Sequence, residues 1–281
     1  MLTLNPSELN VPQLHQYLLG AIGPRPICFA STVDANGNHN VAPFSFFNVF
    51  SAKPPIAIFS PNLSGRTGAP KDTHLNIKEV PECVINIVNY KMVHQMSLAS
   101  SPYAKGVSEF TKAGFTPIPS DLVRPMRVKE SPVQLECKVF ELKEIGNCNL
   151  VMCEIVKIHI DESVLNEQNM IDQQKIDLVA RMGGNWYCRA HGDALFEIEK
   201  PITTIGIGFD NIPANIKSSS VLTGNNLGQL GNIEVLPSAE EIAEYNKTIS
   251  KSFTSESEKH QYAKTLLDAN KVKDAWCVLL G

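Results

Sequence analysis

The sequence has no run approaching the roughly 20 apolar residues that a membrane span needs, so no spanning helix is expected. It has no excess of positive charge. Lys and Arg number 25 against 29 Asp and Glu, a net charge of −4, so a nucleic-acid surface is not expected either. It is not poor in apolar residues. They make up 43% of the 281 residues, with 19% charged, which excludes a disordered or collagen-like chain. The N-terminal MLTLNPSELNVPQ has no basic stretch followed by an apolar one, so no signal peptide is expected.

Cysteine is present but carries no framework. Cys28, Cys83, Cys137, Cys148, Cys153, Cys188 and Cys277 are odd in number and widely spaced, with no CxxC pair. That argues against a disulfide scaffold and against a zinc site. Cys28, Cys83, Cys137 and Cys153 sit in apolar runs, where a cysteine usually acts as a small buried hydrophobe. Reduced thiols of this kind point to the cytoplasm.

Catalytic signatures are also missing. Gly206 and Gly208 lack the third glycine of a dinucleotide fingerprint, and Gly224, Gly228 and Gly231 have the wrong spacing. There is no P-loop and no GxSxG. His74, His94, His159 and His191 are scattered without HExxH spacing, so a resident metal is not expected.

What is present begins with an uneven use of proline. Fifteen of the 18 prolines precede residue 133. Proline interrupts helices and central strands, so this half should consist of short strands and fixed turns. Strands are expected at Ile27–Val33, Val41–Ser51, Ile56–Ser60, Cys83–Val88, Val133–Leu142 and Leu150–Ile160. Asn36-Gly37 between the first two suits a type I′ hairpin turn, whose central residues both need positive φ. Val133, Leu135, Cys137 and Val139 alternate, which predicts a strand with one buried face. Helices are expected from Lys71-Asp72-Thr73 onward, capped by Asp72 or Thr73, and over about 91–100. Residues 201–237 are rich in Gly, Asn, Thr and Ser. From Ser238 the chain reads as helix, with capping-box patterns at Ser238…Glu241 and Ser255…Glu258. Strands without regular strand–helix alternation favour an antiparallel barrel over a doubly wound sheet.

Three segments carry candidate chemistry. Five of the 12 phenylalanines fall between positions 44 and 59. There Pro43 interrupts a strand that continues Phe44, Ser45, Phe46, Phe47, Asn48. This is either a core strand with a bulge, or a strand whose free backbone edge meets a flat polar ring such as a flavin. Lys71-Asp72-Thr73 is either plain helix capping, or a helix start offering N–H groups, a hydroxyl and an ammonium to a phosphate. Ser31-Thr32 offers two hydroxyls on a strand, a common composition.

Taken together, PRPICFASTVDANGNHNVAPFSFFNVFSAKPP (Pro24–Pro55), IAIFSP, KDTHLNI, EFTKAGFTPIPS (Glu109–Ser120), ESPVQLECKVFE (Glu130–Glu141), LVMCEIVKIHID (Leu150–Asp161) and LVARMGGNWYCR (Leu178–Arg189) resemble the flavin reductase-like family of FMN-binding split β-barrels, in family order. The resemblance implies a mainly β fold: a Greek-key type split antiparallel barrel with a few flanking helices and a helical C-terminal extension. The implied division is a barrel domain over 1–195 and an extension over 196–281. It implies FMN as cofactor, NAD(P)H as transient reductant, and a homodimer with the flavin near the subunit interface.

By position, the resemblance puts Ser31, Thr32, Lys71, Asp72 and Thr73 near the flavin phosphate. It puts Ala42, Pro43, Phe44 and Ser45 along the isoalloxazine edge, Phe47 and Asn48 nearby, and Ser60 at the ribityl or phosphate end. Arg25 and Arg66 are candidate extra positive charges, and Tyr187 and Arg189 candidate nicotinamide contacts. No residue is expected to be catalytic, because the flavin carries the chemistry. The implied activity is hydride transfer from NAD(P)H to flavin, feeding a monooxygenase. The alternative is a flavoredoxin-like electron carrier with a protein redox partner. Cys28 stands where a small residue is expected after the PRPI start.

Overall fold

The computed structural model describes residues 1–64, 67–104, 106–198, 201–249 and 252–281; Arg66 lies outside them. The chain forms two compact units, Met1–Phe196 and Glu197–Gly281.

The first unit opens with α1 (Val11–Ala21), a helix that the sequence reading did not expect. Its cap is nonetheless ordinary: the Asn10 side chain accepts the Gln13 N–H at 2.9 Å. There follow β1 (Cys28–Val33), β2 (His39–Phe44), β3 (Phe47–Ala52), β4 (Pro55–Phe59), α2 (Asp72–Glu79), β5 (Glu82–Ile87), α3 (Val93–Leu98) and α4 (Glu109–Ala113). Then come β6 (Pro117–Ile118), β7 (Arg127–Val128), β8 (Val133–Ile145), β9 (Cys148–Ile160), α5 (Gln173–Ile176), β10 (Leu178–Arg181) and β11 (Tyr187–Ala190). β6 pairs with β7 and β10 with β11, while the other seven strands form one antiparallel sheet in the order β2-β1-β5-β8-β9-β4-β3.

That order explains the barrel. β2 and β3 are the two outer strands of the sheet, yet only Ser45 and Phe46 separate them in sequence. Three peptide steps reach at most roughly 11 Å. The sheet must therefore curl until its edges meet at this corner. The two edge strands are not paired with each other, so the barrel is split there. The expected single strand over 41–51 is thus two strands on opposite sides of the split.

The hairpin before it also differs from expectation. Strand pairing closes at Val33 and His39, leaving a five-residue link over 34–38. Gly37 alone in that link has positive φ (87°), so the turn is not type I′. The Asp34 carboxylate accepts the N–H groups of Asn36 (2.9 Å) and Asn38 (2.8 Å), which favours a longer, aspartate-closed turn with one left-handed glycine.

Packing follows from the strand faces. Every residue of β1 is buried. Cys28 and Ala30 join the barrel interior, with Phe59, Ile85 and Leu135. Phe29 faces the other way and packs with Val41, Met96 and Phe110 beneath α3 and α4. The first five residues of β8, Val133 to Cys137, are also covered on both faces, against the one-face expectation, while the rest of the strand is mostly exposed. Its polar face is buried but satisfied: Gln134 donates to the carbonyls of Val128 (3.1 Å) and Ser131 (2.8 Å). Glu136 accepts from the N–H groups of Asp121 (2.8 Å) and Leu122 (2.6 Å).

The second unit holds α6 (Ala214–Lys217), α7 (Gly224–Gly231), α8 (Ala239–Thr248), α9 (Glu256–Asp268) and α10 (Val272–Leu280). It has its own core, around Leu230, Leu267 and Trp276. The Trp276 indole is fully buried and donates to the Leu230 carbonyl at 3.1 Å. The capping box at Ser238 forms in both directions. Ser255 accepts the Glu258 N–H, but the Glu258 carboxylate turns to Thr254 instead. Helix α7 was hidden by the glycines of GNNLGQLG. A capping box between Thr223 and Asn226 and burial of Leu227 and Leu230 override their weak helix propensity. Among the described residues, no helix is long and apolar enough to cross a membrane.

Candidate functional site

The split in the barrel opens into a cleft of about 530 Å³, a size usual for small-molecule sites. One wall is the free edge of β2 and the corner after it: Asn40, Ala42, Pro43, Phe44, Ser45 and Phe46. As an edge strand, β2 pairs with no strand but β1, so its outer backbone has no strand partner. Phe44 is backed by Phe59, with ring centroids 5.7 Å apart. His15 of α1 meets Phe46 edge-on at 6.2 Å. The second wall comes from the end of β4 and the segment after it, with Ser60, Asn62 and Ser64. The Ser60 N–H bonds the Phe46 carbonyl at 2.9 Å. Its hydroxyl bonds Asn62 and lies 3.0 Å from the Cys148 sulfur.

The polar end is built by the start of α2. Lys71 occupies its N-cap position, and no side chain caps the helix. The expected capping by Asp72 or Thr73 is therefore not found. Thr73 instead donates its hydroxyl to Asn40 Oδ1 at 3.0 Å, and Asn40 Nδ2 donates to Glu109 Oε2 at 3.0 Å. Glu109 also accepts the Val41 N–H at 3.3 Å. Burial pushes the Glu109 carboxyl above its usual range. The neighbouring Asp72 charge adds to this, while the bonds from backbone and Asn40 oppose it. The Ser100–Tyr103 segment closes the remaining side.

Of the residues expected at the site, the cleft gathers Ala42, Pro43, Phe44, Ser45, Ser60, Lys71, Asp72 and Thr73. The others lie elsewhere. Ser31 and Thr32 are fully buried. Ser31 donates to the Met126 carbonyl, and Thr32 accepts from Asn76 at 3.1 Å. β1 is an inner strand covered on both faces, so its hydroxyls serve the core. Phe47 packs against the barrel interior. Asn48 is exposed on β3 and accepts its neighbour Val49's N–H at 2.8 Å.

Arg25 is not a free charge. Its guanidinium is buried and donates to the carbonyls of Leu19 (2.8 Å), Ile22 (2.5 Å) and Met182 (2.9 Å), reaching Ser45 Oγ at 3.5 Å. Arg189 makes a paired contact with Asp177, both bonds 2.7 Å, and lies 3.8 Å from the centre of the Tyr90 ring. Tyr187 sits under Arg181 at 4.6 Å. Neither Tyr187 nor Arg189 lines the cleft.

The sequence reading missed Asn40, Asn62, Tyr103 and Glu109. Asn40 was within reach, because alternation back from Phe44 and Ala42 puts it on the same strand face. Glu109 carried no local signal. The cysteines hold another surprise. Cys83, Cys137 and Cys153 lie on neighbouring strands β5, β8 and β9, with their sulfurs all within 4.8 Å of one another. Linear spacing could not reveal this. Cys137 and Cys153 donate to the carbonyls of Leu135 and Ala57, both at 3.4 Å, as packed thiols do.

Comparison with known families decides what kind of barrel this is. Residues 21–177 match the flavin reductase like domain. The chain belongs to the flavin reductase-like family. An uncharacterized protein of Aquifex aeolicus is 33% identical over 192 residues, covering 68% of this chain and 97% of the relative. Among solved structures, nitrilotriacetate monooxygenase component B from Bacillus cereus superposes with a TM-score of 0.66 at 28% identity, over 70% of this chain and 98% of that one. A candidate flavin reductase with a split barrel domain from Shewanella frigidimarina gives a TM-score of 0.60 at 26% identity, over 69% and 96%. The family is one of flavin-binding oxidoreductases, and its match ends before the second unit begins.

Proposed function

We propose that the protein is an FMN-dependent flavin reductase that passes a hydride from NAD(P)H to flavin and supplies reduced flavin to a monooxygenase. The observation that carries this is the composition of one cleft. It combines a free strand edge, an apolar panel and a cationic helix start, in the order a flavin needs. In this reading the outer backbone of Ala42–Ser45 runs along the isoalloxazine edge, Pro43 offering a carbonyl but no N–H. Pro43, Phe44 and Phe46 supply apolar contact. Lys71 and the first N–H groups of the eight-residue helix α2 suit a phosphate. In this reading Ser60 and Asn62 hold the ribityl chain.

When bound, FMN accepts hydride and donates electrons, which asks the protein to position and shield rather than to act as acid or base. The main-chain N–H of Ser45, at the corner after β2, would favour added negative charge on the ring. The working form is a homodimer in the cytoplasm.

A second reading is an FMN electron carrier served by a protein partner, as in flavoredoxin. One observation favours it: Arg189, a candidate nicotinamide contact, is already committed to Asp177. Steady-state assay with NADH or NADPH and free flavin separates the two. Sustained release of reduced flavin supports the reductase. A yellow protein that turns over only with a redox partner supports the carrier.

A further inference from the structure

The charge at the phosphate end of the cleft poses a problem. Among the described residues lining that end, Lys71 brings one positive charge, while Asp72 and Glu109 bring two carboxyls. A flavin phosphate adds further negative charge, about −1.5 to −2 near neutral pH. One carboxyl has to give way. Glu109 is the better placed to do so. Only 7% of it is exposed, whereas Asp72 is half-buried, and a buried carboxylate is the first to neutralise when negative charge approaches. Two of the bonds that Glu109 receives, from Asn40 Nδ2 and Val41 N–H, fall on Oε2, and its own backbone N–H supplies a further one. A proton on Oε1 leaves the Asn40 and Val41 bonds in place.

We propose, on the reading that this cleft holds FMN, that Glu109 is a proton-linked positioning residue: it holds Thr73 through Asn40, and takes up a proton when a phosphate-bearing flavin binds. Among the described residues, the titratable groups lining the cleft with Glu109 are Lys71 and Asp72 of the α2 start, His15 of α1 and Tyr103; the neighbouring elements also carry His74, Lys78 and Glu79 on α2, His39 on β2, His94 on α3 and Lys112 on α4. Asp72 is the charged one that acts directly on Glu109, and its sign favours the proton. The chain from Thr73 to Asn40 to Glu109 gives the carboxyl a physical link to the helix start. Ionised Glu109 repels the phosphate; neutral Glu109 does not. Riboflavin, which has no phosphate, meets neither effect.

The test measures the affinities of wild type and Glu109→Gln for FMN and for riboflavin from about pH 4, below the ordinary glutamate value, to about pH 8. Comparing the two proteins cancels the titration of the FMN phosphate itself. For FMN, the variant's advantage should be absent at the acid end and grow to roughly three- to tenfold at the alkaline end, the size of one like-charge contact across a wet cleft. For riboflavin the two proteins should stay parallel throughout. Calorimetry in two buffers of different ionisation enthalpy should find more protons taken up by wild type than by the variant, with FMN only. Parallel FMN profiles, or the same divergence with both flavins, would overturn the proposal. If Glu109→Gln fails to fold, Asp72→Asn gives the answer, because its proton-uptake window should move to lower pH. An unmoved window overturns the proposal as well. Failure of wild type to bind either flavin overturns the flavin reading, and this inference with it.

Discussion

The backbone N–H of Ser60 donates to the carbonyl of Phe46 at 2.9 Å, tying the end of β4 to the corner where the two sheet edges meet. The bond joins the two walls of the cleft. Ser60→Pro removes the donor, whereas Ser60→Ala keeps it and loses only the hydroxyl. A backbone hydrogen bond contributes about 1 kcal/mol net, so Ser60→Pro should weaken flavin binding roughly fivefold more than Ser60→Ala. Quenching of flavin fluorescence on titration measures this. Equal losses in the two variants would show that the corner does not depend on this bond.

Lys71 is the ammonium beside the uncapped start of α2. Lys71→Ala should weaken FMN binding by about 1–3 kcal/mol, the range for a charged hydrogen bond. Riboflavin affinity should hardly change, and the salt dependence of FMN binding should fall. Unchanged FMN affinity would make Lys71 an ordinary surface residue.

Arg25 is predicted to matter for stability instead of charge. Its guanidinium binds three backbone carbonyls from α1 and the segment after β10, and reaches Ser45 at the cleft. Arg25→Ala leaves those acceptors without their donor, at about 1–3 kcal/mol for each one that stays buried. Urea unfolding should show a loss of a few kcal/mol. Arg25→Lys should recover little, because an ammonium cannot reproduce the forked geometry.

Glu136 gives the fold an acid-sensitive joint. Burial raises its carboxyl, but the N–H groups of Asp121 and Leu122 together with His159 outweigh burial and hold it below the usual range. A depressed folded value means the stabilisation is fully present above the ordinary glutamate range and is lost as pH falls through the lower folded value. Unfolding curves of wild type should lose stability over that acid window. Glu136→Gln should be less stable near neutrality and flatter towards acid. An identical acid limb in both proteins would contradict this role.

Much of the architecture was legible because strands announce themselves by alternation and turns by their residues. β4, β5, β8 and β9 lie close to their expected ranges. What the sequence concealed was tertiary. Ser45-Phe46 reads as the middle of an apolar strand, and only the sheet order turns it into the corner between two edges. Ser31 and Thr32 read as free hydroxyls, and only the covering of β1 by two layers removes them from the cleft. Glu109 carries no local signal in the sequence. Its contact with Asn40, 69 positions away, has no sequence period to betray it.

The central claim is that the cleft holds a flavin which a nicotinamide can reduce. Anaerobic titration of the FMN-loaded protein with NADH and NADPH tests it most directly. Loss of the visible absorption of oxidised flavin, complete at one equivalent of either nucleotide per FMN, is the predicted result. A protein that takes up no FMN, or whose bound FMN stays oxidised with both nucleotides, would contradict it.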